Sequence, residues 1–177
     1  MLMNKSVSVI GNALNSTQNT PYWELAIEMG RCIARSGYTL LSGATTGLPY
    51  AAVLGAKEVG CLSIGFSPAQ DKREQISDWH LPTDGFDLII YEASGYFSRS
   101  VPMINSSDMV IMIGGRAGTL EEMSITLALN KPLGILLGTG GYTTVAKDII
   151  DYSEYDTSKV MYHHDPEQLL AALENVL

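Results

Sequence analysis

The 177 residues suffice for one sizeable core and would be cramped for two, and 46% hydrophobic against 17% charged residues excludes a disordered chain. The formal net charge of −8 argues against a surface that tracks nucleic-acid phosphates, which needs clustered Lys and Arg, though one small anion can still be bound locally. MLMNKSVSVIG is too short an apolar run for a signal peptide, and no window approaches the ~18 apolar residues of a membrane span, so a soluble cytoplasmic protein is expected.

Short apolar runs alternate with helical patterns along the chain. SVSVIG (6–11) is a β-rich run ending in glycine. PYWELAIEMGRCIARSG (21–37) opens with Pro and closes with Gly, and Trp23, Ile27, Gly30, Ile33 and Ala34 recur at helical spacing. YTLLSG (38–43) is the second strand, TGLPYAAVLGAKEVG (46–60) the second helix and CLSIGF (61–66) the third strand. Cys32 and Cys61 sit in these apolar patterns and are expected as free buried thiols. SPAQDKREQISDWHLPTDG (67–85) is polar and longer than most connections, either a lid or a solvated crossing.

FDLIIYE (86–92) resumes the strand pattern, and a mixed segment follows to Ser107. Within it Pro102 suggests a helix beginning at about Val101 with Ser100 as a cap, or a longer helix kinked there. DMVIMIGG (108–115) is a strand, then a helix runs from about Gly118 to Asn130. KPLGILLG (131–138), YTTVAKDIIDYSE (142–154) and VMYHH (160–164) read as strand, helix and short edge strand. DPEQLLAALENVL (165–177) is a final amphipathic helix with Pro166 early in it and Asp165 as its cap. Apolar strands alternating with helices imply a mostly parallel sheet covered on both faces: a single doubly wound, Rossmann-like α/β domain over residues 1–177. Ligands of such folds lie at the carboxyl ends of the strands.

Two glycine turns fall at that end. In SGATTGLPYAAVLGA (42–56) a strand runs into Gly43 and a helix opens near Gly47, a turn that suits phosphate or simple tight packing. In GGRAGTLEEM (114–123) the strand stops at Gly114-Gly115, and Gly118-Thr119 opens a helix. Thr119 is placed to cap that helix or to offer its hydroxyl to a phosphate. Glu121 and Glu122 suit a helix start electrostatically and would serve as surface acids; adjacent helical residues diverge by about 100°, so at most one is expected to face a ligand. Arg99, between aromatics and serines, is the candidate anion-binding guanidinium.

SGATTGLPYAAVLGA, Arg99 and DMVIMIGGRAGTLEEM together resemble the LOG (Lonely Guy) family of cytokinin-activating phosphoribohydrolases and its relatives labelled possible lysine decarboxylases, over about residues 6–138. Glu122 follows Arg99 by 23 positions, which superposes both on the family's Arg and final Glu without a gap. Gly115, Gly118 and Thr119 match the second turn, and Gly43 and Gly47 the first. Gly114 replaces the family's Pro, Arg116 a Gly, Ser100 the Lys after the arginine, and Tyr96-Phe97 a Met-His pair. In these departures the chain is more similar to the molybdenum-cofactor carrier branch.

The resemblance implies a nucleotide-like ligand and two alternatives. One is a phosphoribohydrolase that cleaves the N-glycosidic bond of a nucleoside 5′-monophosphate, with Arg99 and Glu122 catalytic. The other is a non-catalytic carrier of a nucleotide-like or molybdopterin-type cofactor. In both, Gly43, Gly47, Gly114, Gly115, Gly118 and Thr119 bind phosphate and ribose, and a homodimer or larger assembly is implied, with SITLALN (124–130) as a contact surface. No resident cofactor, metal, nucleic acid or membrane is expected. Decarboxylation would need a lysine holding pyridoxal phosphate, and neither glycine turn carries one. His163 and His164 are adjacent on a strand and point to opposite faces, which argues against a shared metal ion. Trp79 in the long polar segment is either a packing anchor or a cover for a base.

Overall fold

The computed structural model describes residues 5–93 and 95–177; Met1–Asn4, which begin the run weighed above as a leader, and Ser94 lie outside it. The strands are β1 (Ser6–Gly11), β2 (Thr39–Ser42), β3 (Ser63–Ser67), β4 (Leu88–Tyr91), β5 (Met109–Ile113), β6 (Leu133–Leu136) and β7 (Val160–His163). They form one seven-stranded sheet in the order β4-β3-β2-β1-β5-β6-β7, every neighbouring pair parallel. The chain winds outward from β1 to β4, then returns to place β5 on the other side of β1. The crevice between β1 and β5 is therefore the switch point of a doubly wound sheet.

The helices are α1 (Pro21–Arg35), α2 (Gly47–Glu58), α3 (Lys72–Ser77), α4 (Gly95–Ser98), α5 (Ser100–Asn105), α6 (Ala117–Ala128), α7 (Ala146–Asp151) and α8 (Pro166–Glu174). One face of the sheet packs Val7, Val9, Leu40 and Ile111 against α1, α2 and α8. The other packs Ile10, Leu41, Val110 and Ile135 beneath α5, α6 and α7. Alternation along fully buried strands feeds both cores, which is why β5 reads as one unbroken apolar run, Met109 to Ile113. Helices α1 and α2 approach so closely that a Cβ on Gly30 would lie 1.9 Å from the Ala52 carbonyl oxygen, and one on Gly55 2.0 Å from that of Ile27.

Two aspartates fix strand register by the same device. Asp108, just before β5, accepts hydrogen bonds from the amide (2.7 Å) and hydroxyl (3.2 Å) of Ser6 at the start of β1. Asp87, just before β4, does the same for Ser63 at the start of β3, at 2.8 and 3.2 Å.

Three expectations change. The 67–85 segment contains α3, capped by Asp71, whose carboxylate accepts from the Glu74 amide (2.9 Å). It is a short helix with Lys72, Arg73, Ile76, Ser77 and Asp78 exposed, anchored through one buried side chain. Gln75, fully buried, donates from Nε2 to the carbonyls of Ala44 (3.0 Å) and Pro82 (2.9 Å), and its Oε1 accepts from the Ser67 hydroxyl. The helix expected at Val101 begins earlier. Helices α4 and α5 are separated only by Arg99, itself in right-handed helical conformation, so the longer kinked alternative holds and Ser100 is inside the helix rather than its cap. The break falls where the Pro102 ring opposes the Ser98 carbonyl. The 142–154 helix is divided into a 3-10 turn, Gly141–Thr144, and the six-residue α7.

Candidate functional site

A cleft of about 870 Å³ opens at the carboxyl ends of β1 and β5. Such a volume lies in the range of small-molecule sites, roughly 300–1,000 Å³. Its floor is Arg99 with Glu121 and Glu122, one side is the start of α6, and its mouth is apolar, with Leu14, Tyr96, Phe97 and Val145 all exposed.

Arg99 and Glu122 are each only 6% exposed, and their nearest charged atoms, Nη1 and Oε1, are 3.6 Å apart. That separation is an ion pair without a direct hydrogen bond. Arg99 Nη1 instead faces the Met103 sulfur at 3.7 Å, and its buried Nε has no partner among the described residues. Burial raises the Glu122 carboxyl to about 7; the Arg99 charge opposes that rise and Glu121 adds to it. Burial likewise pulls the Arg99 guanidinium below its ordinary range, against the pull of Glu122. Desolvation outweighs attraction on both sides because the pair is loosely apposed. Two buried charges with spare hydrogen-bonding capacity at the base of a cleft are suited to an incoming ligand.

Glu121 also lines the cleft, which corrects the expectation that at most one of the two acids faces a ligand. At the first turn of α6 the cleft curves around the helix end, so side chains 100° apart both border it. The Ser100 hydroxyl holds Glu121 at 3.1 Å, and burial raises the Glu121 carboxyl. Ser100 thus supplies a neutral hydroxyl that orients an acid.

The glycines separate into two kinds. Gly115, with φ +126°, and Gly118, whose missing Cβ leaves open space, both border the cleft. Ala117, Gly118 and Thr119 are the first residues of α6, so their N–H groups have no carbonyl one turn back and present the positive helix end to the cleft. The Thr119 hydroxyl is already committed: it donates to the Gly11 carbonyl (2.9 Å) and accepts from the Arg116 amide (3.3 Å). What Thr119 offers a ligand is its backbone.

Gly114 and Gly47 lie behind the wall. The Gly114 amide donates to the Thr139 hydroxyl at 2.8 Å, and Gly47, at φ +76°, lets the backbone pass Asn12, where a Cβ would lie 2.2 Å from the carbonyl oxygen. Gly43 does border the cleft, but a Cβ there would sit 1.9 Å from Arg99 Nη1 and 2.2 Å from Cζ. Gly43 is the seat of the arginine.

The remaining wall was not identified from sequence. The 138–145 segment turns through Gly138, Gly140 and Gly141, all at positive φ, and its Tyr142 amide donates to the Gly115 carbonyl at 3.2 Å. Tyr142, Thr144 and Val145 border the cleft. The signal was the run Gly138-Thr139-Gly140-Gly141, a third glycine turn at the end of a strand. His164 packs beside Gly138, away from the cleft lining, and Asp165 caps α8 by accepting from the Gln168 amide at 2.9 Å.

A parallel doubly wound sheet with a cleft at its switch point, two charged side chains at the base and a glycine-opened helix on one side define a LOG-like Rossmann fold. The chain belongs to the SLOG cluster4 family, whose model matches residues 4–170. An uncharacterized protein of Archaeoglobus fulgidus is 31% identical over 114 residues, 64% of this chain and 70% of that one. Among solved structures, the molybdenum cofactor binding protein of the phototrophic bacterium Rippkaea orientalis is 26% identical, with a TM-score of 0.81 over 99% of each chain. The molybdenum cofactor carrier protein of Chlamydomonas reinhardtii is 25% identical, with a TM-score of 0.79 over 98% of each chain.

Among the described residues, no helix is long and apolar enough to cross a membrane.

Proposed function

We propose that residues 1–177 act as one cytoplasmic domain that binds a phosphorylated, flat heteroaromatic ligand, a purine nucleotide or a pterin-type cofactor, and carries it intact. One observation carries this reading. Arg99 is buried at the base of the cleft, its Nε without a partner among the described residues and its pairing to Glu122 loose, so donors are held ready for an anionic or carbonyl-bearing ligand. The α6 N–H groups are the second anchor, suited to a phosphate. Ser100, Gly114 and Arg116 at altered motif positions, with molybdenum-cofactor proteins similar over essentially the whole chain, support carriage over hydrolysis.

Thermal-shift titration against nucleoside monophosphates and a pterin monophosphate tests this. Stabilisation by the phosphorylated compounds, absent with the unphosphorylated ones and lost in Arg99→Ala, is expected. No shift with any of them at millimolar concentration would remove the proposal.

The Arg99–Glu122 pair favours a second reading, hydrolysis of a nucleoside monophosphate. There the bond from C1′ to the base nitrogen breaks, and its electron pair leaves with the base. Water supplies hydroxide to C1′ and its proton to the base, while ionised Glu122 stabilises the cation-like sugar. Ribose 5-phosphate release by the wild-type protein, abolished in Glu122→Ala, would establish this reading in place of carriage.

We also propose a homodimer. SITLALN turns Thr126 and Leu127 into the core and leaves Leu129 exposed, while Leu62, Leu88 and Ile90 leave a longer apolar strip exposed at the β3–β4 end of the sheet. A monomer in sedimentation equilibrium would remove this proposal.

A further inference from the structure

The 67–85 segment, held in place by the buried Gln75, also reaches the mouth of the cleft. Trp79 lies against Tyr96 with ring centroids 4.9 Å apart and planes at 85°. Trp79 is itself fixed: its amide donates to the Glu74 carbonyl (3.1 Å) and its indole N–H to the Glu74 carboxylate (3.2 Å). The Tyr96 backbone carbonyl lies 3.3 Å from the Ser100 hydroxyl, which shares its one proton between that carbonyl and the Glu121 carboxylate. Tyr96 borders the cleft and is still 43% exposed, while the neighbouring Phe97, at 61%, has no such brace among the described residues.

A perpendicular contact uses at most one face of the Tyr96 ring. An exposed aromatic ring held rigid at the edge of a cleft is a stacking platform, because its conformational entropy has been lost before the ligand arrives. Trp79 does not line the cleft, so it does not cover a base; it sets the plane on which one would lie.

We propose that Tyr96 is the specificity-determining platform for the flat ring of the ligand, and that Trp79 is its positioning residue. The inference rests on the binding function proposed above and adds which side chain selects an aromatic ligand over a bare sugar phosphate. Selection is then divided: the α6 end and Arg99 hold the polar part, and Tyr96 holds the ring.

The test is calorimetric titration of the full chain with guanosine 5′-monophosphate, a pterin monophosphate and ribose 5-phosphate, for wild type, Tyr96→Ala, Tyr96→Phe and Trp79→Ala. Tyr96→Ala is expected to weaken the two aromatic ligands about 5- to 150-fold, the span of one stacked ring, and to leave ribose 5-phosphate within about 2-fold. Tyr96→Phe, which keeps the ring, is expected to bind all three like wild type. Trp79→Ala is expected to weaken only the aromatic ligands, about 2- to 12-fold. Equal losses for aromatic and sugar ligands, or none in Tyr96→Ala, would overturn the platform while leaving the binding function standing. Failure of wild type to bind any of the three would overturn both.

Discussion

Gly43→Ala separates two accounts of the first glycine turn. If Gly43 is glycine so that its backbone can touch a phosphate, alanine keeps the N–H and loses only close approach. If Gly43 is the seat of Arg99, alanine evicts the guanidinium, because the new Cβ would stand 1.9 to 2.4 Å from Nη1, Cζ and Nη2. The clashing group is the free end of a flexible side chain, so the fold yields cheaply and the damage falls on the site. Loss of one charge-assisted hydrogen bond to the ligand is worth about 1.5–3 kcal/mol, so affinity should fall roughly 10- to 150-fold. The decisive assay is a double-mutant cycle: ligand affinity for wild type, Gly43→Ala, Arg99→Ala and the double variant. With Arg99 gone, the Gly43 substitution is expected to cost less than about 0.5 kcal/mol. Additive losses in the double variant would refute the seat.

Glu122 gives a pH signature. Its folded carboxyl sits near 7 against an ordinary 4.5, so protonation favours the fold: that contribution is complete below about pH 4.5 and is lost as pH rises to about 7. The difference corresponds to about 3 kcal/mol, and denaturant titrations at pH 5 and pH 8 should show that slope in wild type and not in Glu122→Gln; equal slopes would contradict the burial argument. At the α1–α2 contact, Gly30→Ala meets backbone that cannot move aside, and urea unfolding should show a loss of about 1–3 kcal/mol despite the better helix propensity of alanine; a gain would mean the helices separate freely. Thr139→Val leaves the buried Gly114 amide unpaired, with an expected loss of about 1–3 kcal/mol in the same assay and faster exchange of that amide.

The alternation of apolar runs and helices specified the sheet because parallel strands buried on both faces must read as unbroken apolar segments. The 23-residue spacing from Arg99 to Glu122 was legible because a kinked helix, one strand and one turn connect them without an insertion. What was hidden depended on tertiary contacts. Helix α3 has six polar-rich residues and no apolar stripe; it exists because Asp71 caps it and Gln75 finds three partners in the interior. The role of Gly43 is set by a guanidinium 56 positions away in sequence, which no local turn rule contains. Both acids face the cleft because the cleft wraps a helix end, a shape that periodicity along one helix does not encode. Of the two roles the local pattern allowed Thr119, helix cap or phosphate hydroxyl, its side chain takes the first, accepting from the Arg116 amide while it ties α6 to the end of β1.

The central claim is that one cleft holds a phosphate on the first turn of α6 and a flat ring beside Tyr96, with Arg99 beneath. A crystal structure of the protein grown with guanosine 5′-monophosphate or a pterin monophosphate tests it most directly. The account predicts phosphate density within hydrogen-bond distance of the Ala117, Gly118 and Thr119 amides and the ring parallel to Tyr96. A ligand seated elsewhere, such as the shallow dimple between Cys32 and Glu174, would contradict it.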